Sequence, residues 1–235
     1  MISWLKNRFM TKDSAIKQVR PVSPFFDVGF HGDEYLLKLA NHLAANTKAF
    51  IETGANVGST LAYVARVHPS LRCLSCEPDS SAHEAAMKNA GKYPNVFLLH
   101  GTSQEFISYL DKNEEWVFAE ACMFWLDAHG YGFEWPLKKE LEFITQKFKT
   151  GYILIDDFKV PGQERFGYDQ YQEQICSYDY IKGVLNPAKT YQLYYPTYQD
   201  KTSKHHSLRG WGLLVFGHDD FSIPGQVADK VERVL

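Results

Sequence analysis

The sequence predicts an α/β fold, an open and mostly parallel sheet covered by helices on both faces, and three observations lead there. From residue 48 onward, apolar segments of strand length alternate with amphipathic segments of helix length, the order that builds parallel sheets. One apolar segment, Phe50-Ile51-Glu52-Thr53, runs into Gly54-Ala55-Asn56-Val57-Gly58 and then a helical pattern, so a strand, a glycine turn and a helix follow one another. Near the C-terminus two apolar segments follow each other with no helical pattern between them, which predicts an antiparallel pair at the edge of the sheet.

In chain order, the first helical pattern covers about 33–46, with Leu36, Leu39, Ala40 and Leu43 on one face. Strands are expected near 48–53, 71–76, 95–100, 121–127 and 151–156, and helices near 58–68, 79–91, 103–112 and 135–149. Leu137, Leu141, Ile144 and Phe148 mark the buried stripe of the last helix. A polar, aromatic loop at 157–168 then leads to a helix near 169–185 and strands at 190–196 and 211–217. This makes one domain, 47–235, preceded by an N-terminal helical extension or lid, 1–46. The segments 21–33, 157–172 and 197–210 carry Pro, Gly, Tyr and His and are candidates for a lid, with ordinary surface loops as the alternative.

A chain of 235 residues supports one large core, and no linker-like break suggests a second domain. Its aromatic fraction of 15% is enough to wall a pocket or simply to enlarge the core. A formal net charge of −3 gives no electrostatic reason to expect nucleic acid or an anionic membrane as partner. Lys6 and Arg8 break up the apolar start, so no signal peptide is expected, and no apolar run approaches the roughly 20 residues of a membrane span. Cys73, Cys76, Cys122 and Cys176 then read as reduced thiols of a cytoplasmic protein. Cys73 and Cys76 share the second strand without a second pair at zinc spacing, which points to buried structural residues.

The glycine loop sits where open α/β sheets hold nucleotide-like cofactors. Gly54 permits a sharp turn, Gly58 leaves room where the helix packs against strand and ligand, and the helix start offers N–H groups to an anionic group. Glu77 closes the second strand, where a carboxylate can accept hydrogen bonds from both hydroxyls of an adenosine ribose, while Asp79 is placed to cap the following helix. After the third strand, Thr102 or Ser103 could meet an adenine edge, or Ser103 could cap the next helix. The fourth strand ends in Asp127-Ala128-His129 and the fifth in Asp156-Asp157. If those strands are neighbours, their ends lie about 5 Å apart and three carboxylates crowd one crevice. Like charges so close call for a cation or hydrogen-bond donors, and oxygen ligands suit Mg²⁺; the alternative is that Asp156 or Asp157 caps a turn.

Glu52-x-Gly54-x-x-x-Gly58 resembles motif I of the class I S-adenosylmethionine (SAM)-dependent methyltransferases. Together with Glu77, the Asp127-Ala128-His129 turn and Asp156-Asp157, it is similar to the macrocin and novobiocin-type sugar O-methyltransferases. Second come the FkbM-type methyltransferases, which share the Gly-Ala-Asn-x-Gly loop and the Glu77-Pro78 step. The resemblance implies a Rossmann-like fold of seven strands with an antiparallel edge hairpin. It implies SAM held by Glu52, Gly54, Asn56, Gly58, Glu77, Thr102, Ser103 and Asp127, and Mg²⁺ held by Asp127, Asp156 and Asp157. The acceptor implied is a small molecule or glycan, whose hydroxyl displaces the methyl group from the sulfonium in line. His129 stands where that group typically has an acidic base, and it could take the hydroxyl proton or be purely structural. His31, His205 and His206 are weaker candidates, and Tyr131, Phe133, Tyr168 and Tyr171 could stack on the acceptor. A homo-oligomer is compatible with all of this. Three rivals remain: a SAM-binding module without turnover, a nicotinamide-dependent oxidoreductase, and a nucleic-acid methyltransferase, which the lack of a basic balance disfavours. Against the second, Asn56 and Ser59 stand where a G-x-G-x-x-G loop needs glycine.

Overall fold

The structure, a computed structural model, describes residues 28–129, 135–200 and 207–235. Gly29, Phe30, His31 and Gly32 open it as a left-handed turn, with φ of 59°, 43°, 55° and 68°. Two of the four are not glycine, and each L-residue enters this region at about 1–2 kcal/mol. Asp33 then caps α1 (Glu34–Ala45), accepting the N–H groups of Tyr35 and Leu36. Leu36, Leu39, Ala40 and Leu43 are buried in the same core as Phe50 and Trp125.

The alternating region follows as β1 (Ala49–Thr53), α2 (Ser59–Val67), β2 (Arg72–Glu77), α3 (Ser80–Ala90), β3 (Val96–His100), α4 (Ser103–Asn113), β4 (Ala121–Leu126), α5 (Leu137–Lys147) and β5 (Thr150–Asp156). These five strands are parallel, in the order β3-β2-β1-β4-β5. All of β1 and nearly all of β4 and β5 are buried, as expected where helices cover both faces. Thr53 is level with Cys76 on one side and Leu126 on the other, so the loops after β1, β2 and β4 emerge along one edge of the sheet. The chain winds from β1 toward β2 and β3, then crosses back to β4 and β5. The crevice between β1 and β4 is therefore the topological switch point.

Beyond β5 the structure departs from expectation in two places. The helix expected over 169–185 is a small hairpin, β6 (Gln170–Tyr171) and β7 (Gln174–Ile175), followed by a short α6 (Tyr178–Ile181). Backbone groups that a helix would use are committed elsewhere: Asp169 N–H donates to Asp157 O at 2.9 Å, Cys176 N–H to Asp169 O at 3.0 Å, and Lys159 N–H to Cys176 O at 2.6 Å. Next come β8 (Tyr191–Pro196) and β9 (Trp211–Phe216), antiparallel to each other, with β9 also antiparallel to β5. A short β10 (Val231–Arg233) pairs with β8, making eight strands instead of seven. Among the described residues no helix is long and apolar enough to cross a membrane.

Candidate active site

The glycine loop is held by backbone bonds from both neighbouring strands. Gly54 and Ala55 N–H groups donate to Cys76 O at 3.2 and 2.9 Å, and Asp127 N–H donates to Thr53 O at 3.1 Å. Gly54 has φ +83°, and a Cβ there would stand 2.5 Å from Asp127 O, so the turn and the close approach both require glycine. Gly58, at φ +78°, is crowded too, but by Ala86 of α3 at 2.9 Å; it serves helix–helix packing where the sequence suggested strand and ligand. Asn56 is left-handed as well, at φ +50°. That conformation aims its N–H at Glu77 Oε2, 2.7 Å away, while Asp79 N–H reaches Glu77 Oε1 at 2.9 Å. Burial raises the Glu77 carboxyl above its ordinary value against the pull of these two amides.

Glu52 and Ser103, also expected at the cofactor, are turned inward. Glu52 is 1% exposed, accepts the Ser75 hydroxyl at 2.7 Å and is pushed up to about 8 by burial. Ser103 donates to Glu140, a buried acid of α5 that sequence reasoning did not single out and that burial pushes to about 7. The helix cap that the sequence offered to Ser103 belongs to Thr102, which forms a capping box with Glu105. Asp79 caps α3 as expected.

Across the switch point lies a second cluster, built from side chains of five separate segments. Asp127 is followed by His129, whose Nε2 is 3.2 Å from Asp127 Oδ1 and whose Nδ1 is 2.8 Å from Asp169 Oδ2 and 2.7 Å from Tyr171 Oη. These acids hold the His129 imidazole well above its ordinary value. His31 Nε2 lies 2.6 Å from Asp156 Oδ2, and the Asp156 charge, outweighing burial, raises His31 to about 10. Burial works to raise Asp156, but the His31 charge and hydrogen bonds leave it lowered. Arg209 donates to Asp157 through Nε and to Asp169 Oδ1 through Nη2 at 2.7 Å. Burial first, then Asp156, pushes Asp127 to about 7 and Asp157 to about 6. Trp135, Leu137, Ala128 and Glu140 line the cleft beside Asp127 and Asp169.

Asp169 and Arg209 escaped sequence reasoning, although both lie in segments marked as possible lids. Those segments are joined: Gly167 N–H donates to Leu208 O at 3.0 Å and Gly210 N–H to Gly167 O at 2.7 Å. Tyr131, Phe133, His205 and His206 lie outside the described residues. The sequence groups Asp127, Asp156 and Asp157 as ligands of one Mg²⁺. The structure divides them: His31, Asp127 and Asp156 converge within 4.8 Å, and so, separately, do His129, Asp157 and Asp169. With Asp157 turned to Arg209 and an imidazole in each set, the residues as arranged do not fit a three-carboxylate Mg²⁺ site.

No protein-family model matches the chain, and no curated protein does. Solved structures match in fold. An O-methyltransferase from Bacillus cereus in complex with S-adenosylhomocysteine (SAH) superposes with a TM-score of 0.54, over 88% of this chain and 92% of that one, at 15% identity. The O-methyltransferase TomG of tomaymycin synthesis, from Streptomyces achromogenes and bound to SAM, gives 0.52 over 77% and 78% at 18% identity. A candidate O-methyltransferase from Klebsiella pneumoniae gives 0.53 over 85% and 93% at 18% identity. The chain has the Rossmann-like class I methyltransferase fold.

Proposed function

We propose that this chain is a SAM-dependent methyltransferase acting on a hydroxyl of a small molecule or sugar. One observation carries the reading: at the switch point, the left-handed Asn56 amide grips Glu77, the strand-end acid suited to a ribose. Each Glu77 oxygen accepts one backbone N–H, which fixes the carboxylate and leaves lone pairs for the ribose hydroxyls. The fold shared with O-methyltransferases supports the same reading.

In this proposal Gly54 and Asn56 shape the cradle for the cofactor, Glu77 holds its ribose, and Thr102 borders its adenine. Glu52 supports the loop from behind through Ser75. Asp127, whose carbonyl walls Gly54, would stand on the acceptor side of that cradle. Asp127, at about 7, is matched to taking the acceptor's proton near neutral pH as the new O–CH₃ bond forms and the S–CH₃ bond breaks. His129, held protonated between Asp127 and Asp169, orients Asp127 and donates a hydrogen bond. The test is calorimetric titration of the purified chain with SAH, with NAD as control. SAH binding with NAD silent is the expected result; NAD binding without SAH would overturn the reading of the glycine loop.

A further inference from the structure

We infer that the acceptor side is charge-compensated from within the chain: His31, His129 and Arg209 stand where a divalent ion would otherwise balance its four carboxyls, and the site takes up no such ion. The inference rests on the methyltransferase reading only for what the site is used for. Its own basis is the pairing of acids and bases. Asp156 is paired with His31 at 2.6 Å, Asp127 with His129 at 3.2 Å, and Asp169 with His129 at 2.8 Å and Arg209 at 2.7 Å, while Arg209 also holds Asp157. Four acids packed this closely would repel one another unless compensated. Three bases supply that compensation. A divalent ion entering either set of ligands would have to strip the proton from an imidazole or displace Arg209 from its acid.

The local backbone is committed to this arrangement. His31 is carried on the left-handed Gly29–Gly32 turn, a conformation that its own side chain does not favour. Arg209 is held by the bridge between Gly167 and Gly210, and a Cβ on Gly167 would stand 3.0 Å from its Nη1. One buried oxygen, Asp156 Oδ1, has no donor in this network. Asp127 is within hydrogen-bonding reach of Asp156. An acceptor recognised here meets hydrogen-bonding side chains instead of a chelating metal.

The experiment is calorimetric titration of the chelator-treated full chain with Mn²⁺, repeated with SAH present. The parent should show no binding below millimolar Mn²⁺, whereas His31→Ala and Arg209→Ala, which strip counter-ions from Asp156 and Asp157, should bind Mn²⁺ at least roughly tenfold more tightly. Micromolar Mn²⁺ binding by the parent, lost in Asp156→Asn, would overturn the inference. So would folded variants that gain nothing, since the three bases would then not be standing in for an ion. If the variants fail to fold in melting scans, the parent titration decides alone. Absence of SAH binding in a parent silent to Mn²⁺ would remove the methyltransferase reading while leaving the compensated cluster in place.

Discussion

The two sides of the switch point are made differently. On the β1–β3 side the contacts are backbone amides and glycines within a short run of sequence, with Glu77 as the main side chain. On the β4–β5 side the contacts are charged side chains from residues 31, 127–129, 156–157, 169 and 209. The first construction is set by local conformation and suits a ligand that does not change. The second is set by tertiary placement, and segments far apart in sequence can alter it one residue at a time.

The comparison can be broken most forcefully at Gly54. Gly54→Val would put a branched side chain against Asp127 O at φ +83°, with an expected loss of about 3 kcal/mol or more in urea denaturation and the loss of SAH binding. A stable, SAH-binding variant would mean that the two sides do not share this wall. The next effect separates the sides on the pH axis. Glu52 at about 8 and Glu140 at about 7, both ordinarily at 4.5, keep protons in the folded chain that the unfolded chain gives up. Their contribution to stability is complete below pH 4.5 and is lost as pH rises toward 8. His31, raised from 6.5 to about 10, contributes fully below pH 6.5 and loses its contribution between there and pH 10. Melting temperatures across pH 4–10 should therefore show Glu52→Gln flattening the lower part of the decline and His31→Gln the upper part. Equal slopes in parent and variants would remove the distinction.

A smaller effect is expected from Arg209→Ala. It leaves Asp157 and Asp169 without that cation and should cost about 2 kcal/mol, less than a fully buried pair because the Arg209 side chain is 29% exposed. SAH affinity should change by less than about threefold, which corresponds to well under 1 kcal/mol; a larger drop would tie the two sides together. Smallest in stability, but directed at the ligand, is Glu77→Ala. It should weaken SAH about tenfold or more in calorimetry, the value of hydrogen bonds to a charged group, and leave the Mn²⁺ response as it was.

This division also explains what was legible. The five parallel strands and the glycine loop follow from periodicity and from residues adjacent in sequence, so they could be read directly. The 169–185 segment could not, because Asp169 and Cys176 give their backbone groups to 157–159, a pairing that no local pattern announces. β10 was hidden because it is three residues long and only Val231 of it is buried. In the candidate site, the acids at the ends of β4 and β5 stood out by position. Their counter-ions did not, since Arg209 and Asp169 meet only when the loops around Gly167 and Gly210 are joined. Glu140 looked like one more polar residue of an amphipathic helix until Ser103 was found against it.

The wall between Gly54 and Asp127 also limits how such a protein can diversify. Because the glycine turn rests against the carbonyl that follows β4, a substitution that moved the end of β4 would tilt the glycine turn with it. On the proposed reading, new specificities would be reached through residues 31, 169 and 209, which lie outside that wall. Divergence among descendants of this chain should accumulate in those outlying segments while the 52–58 turn stays nearly frozen.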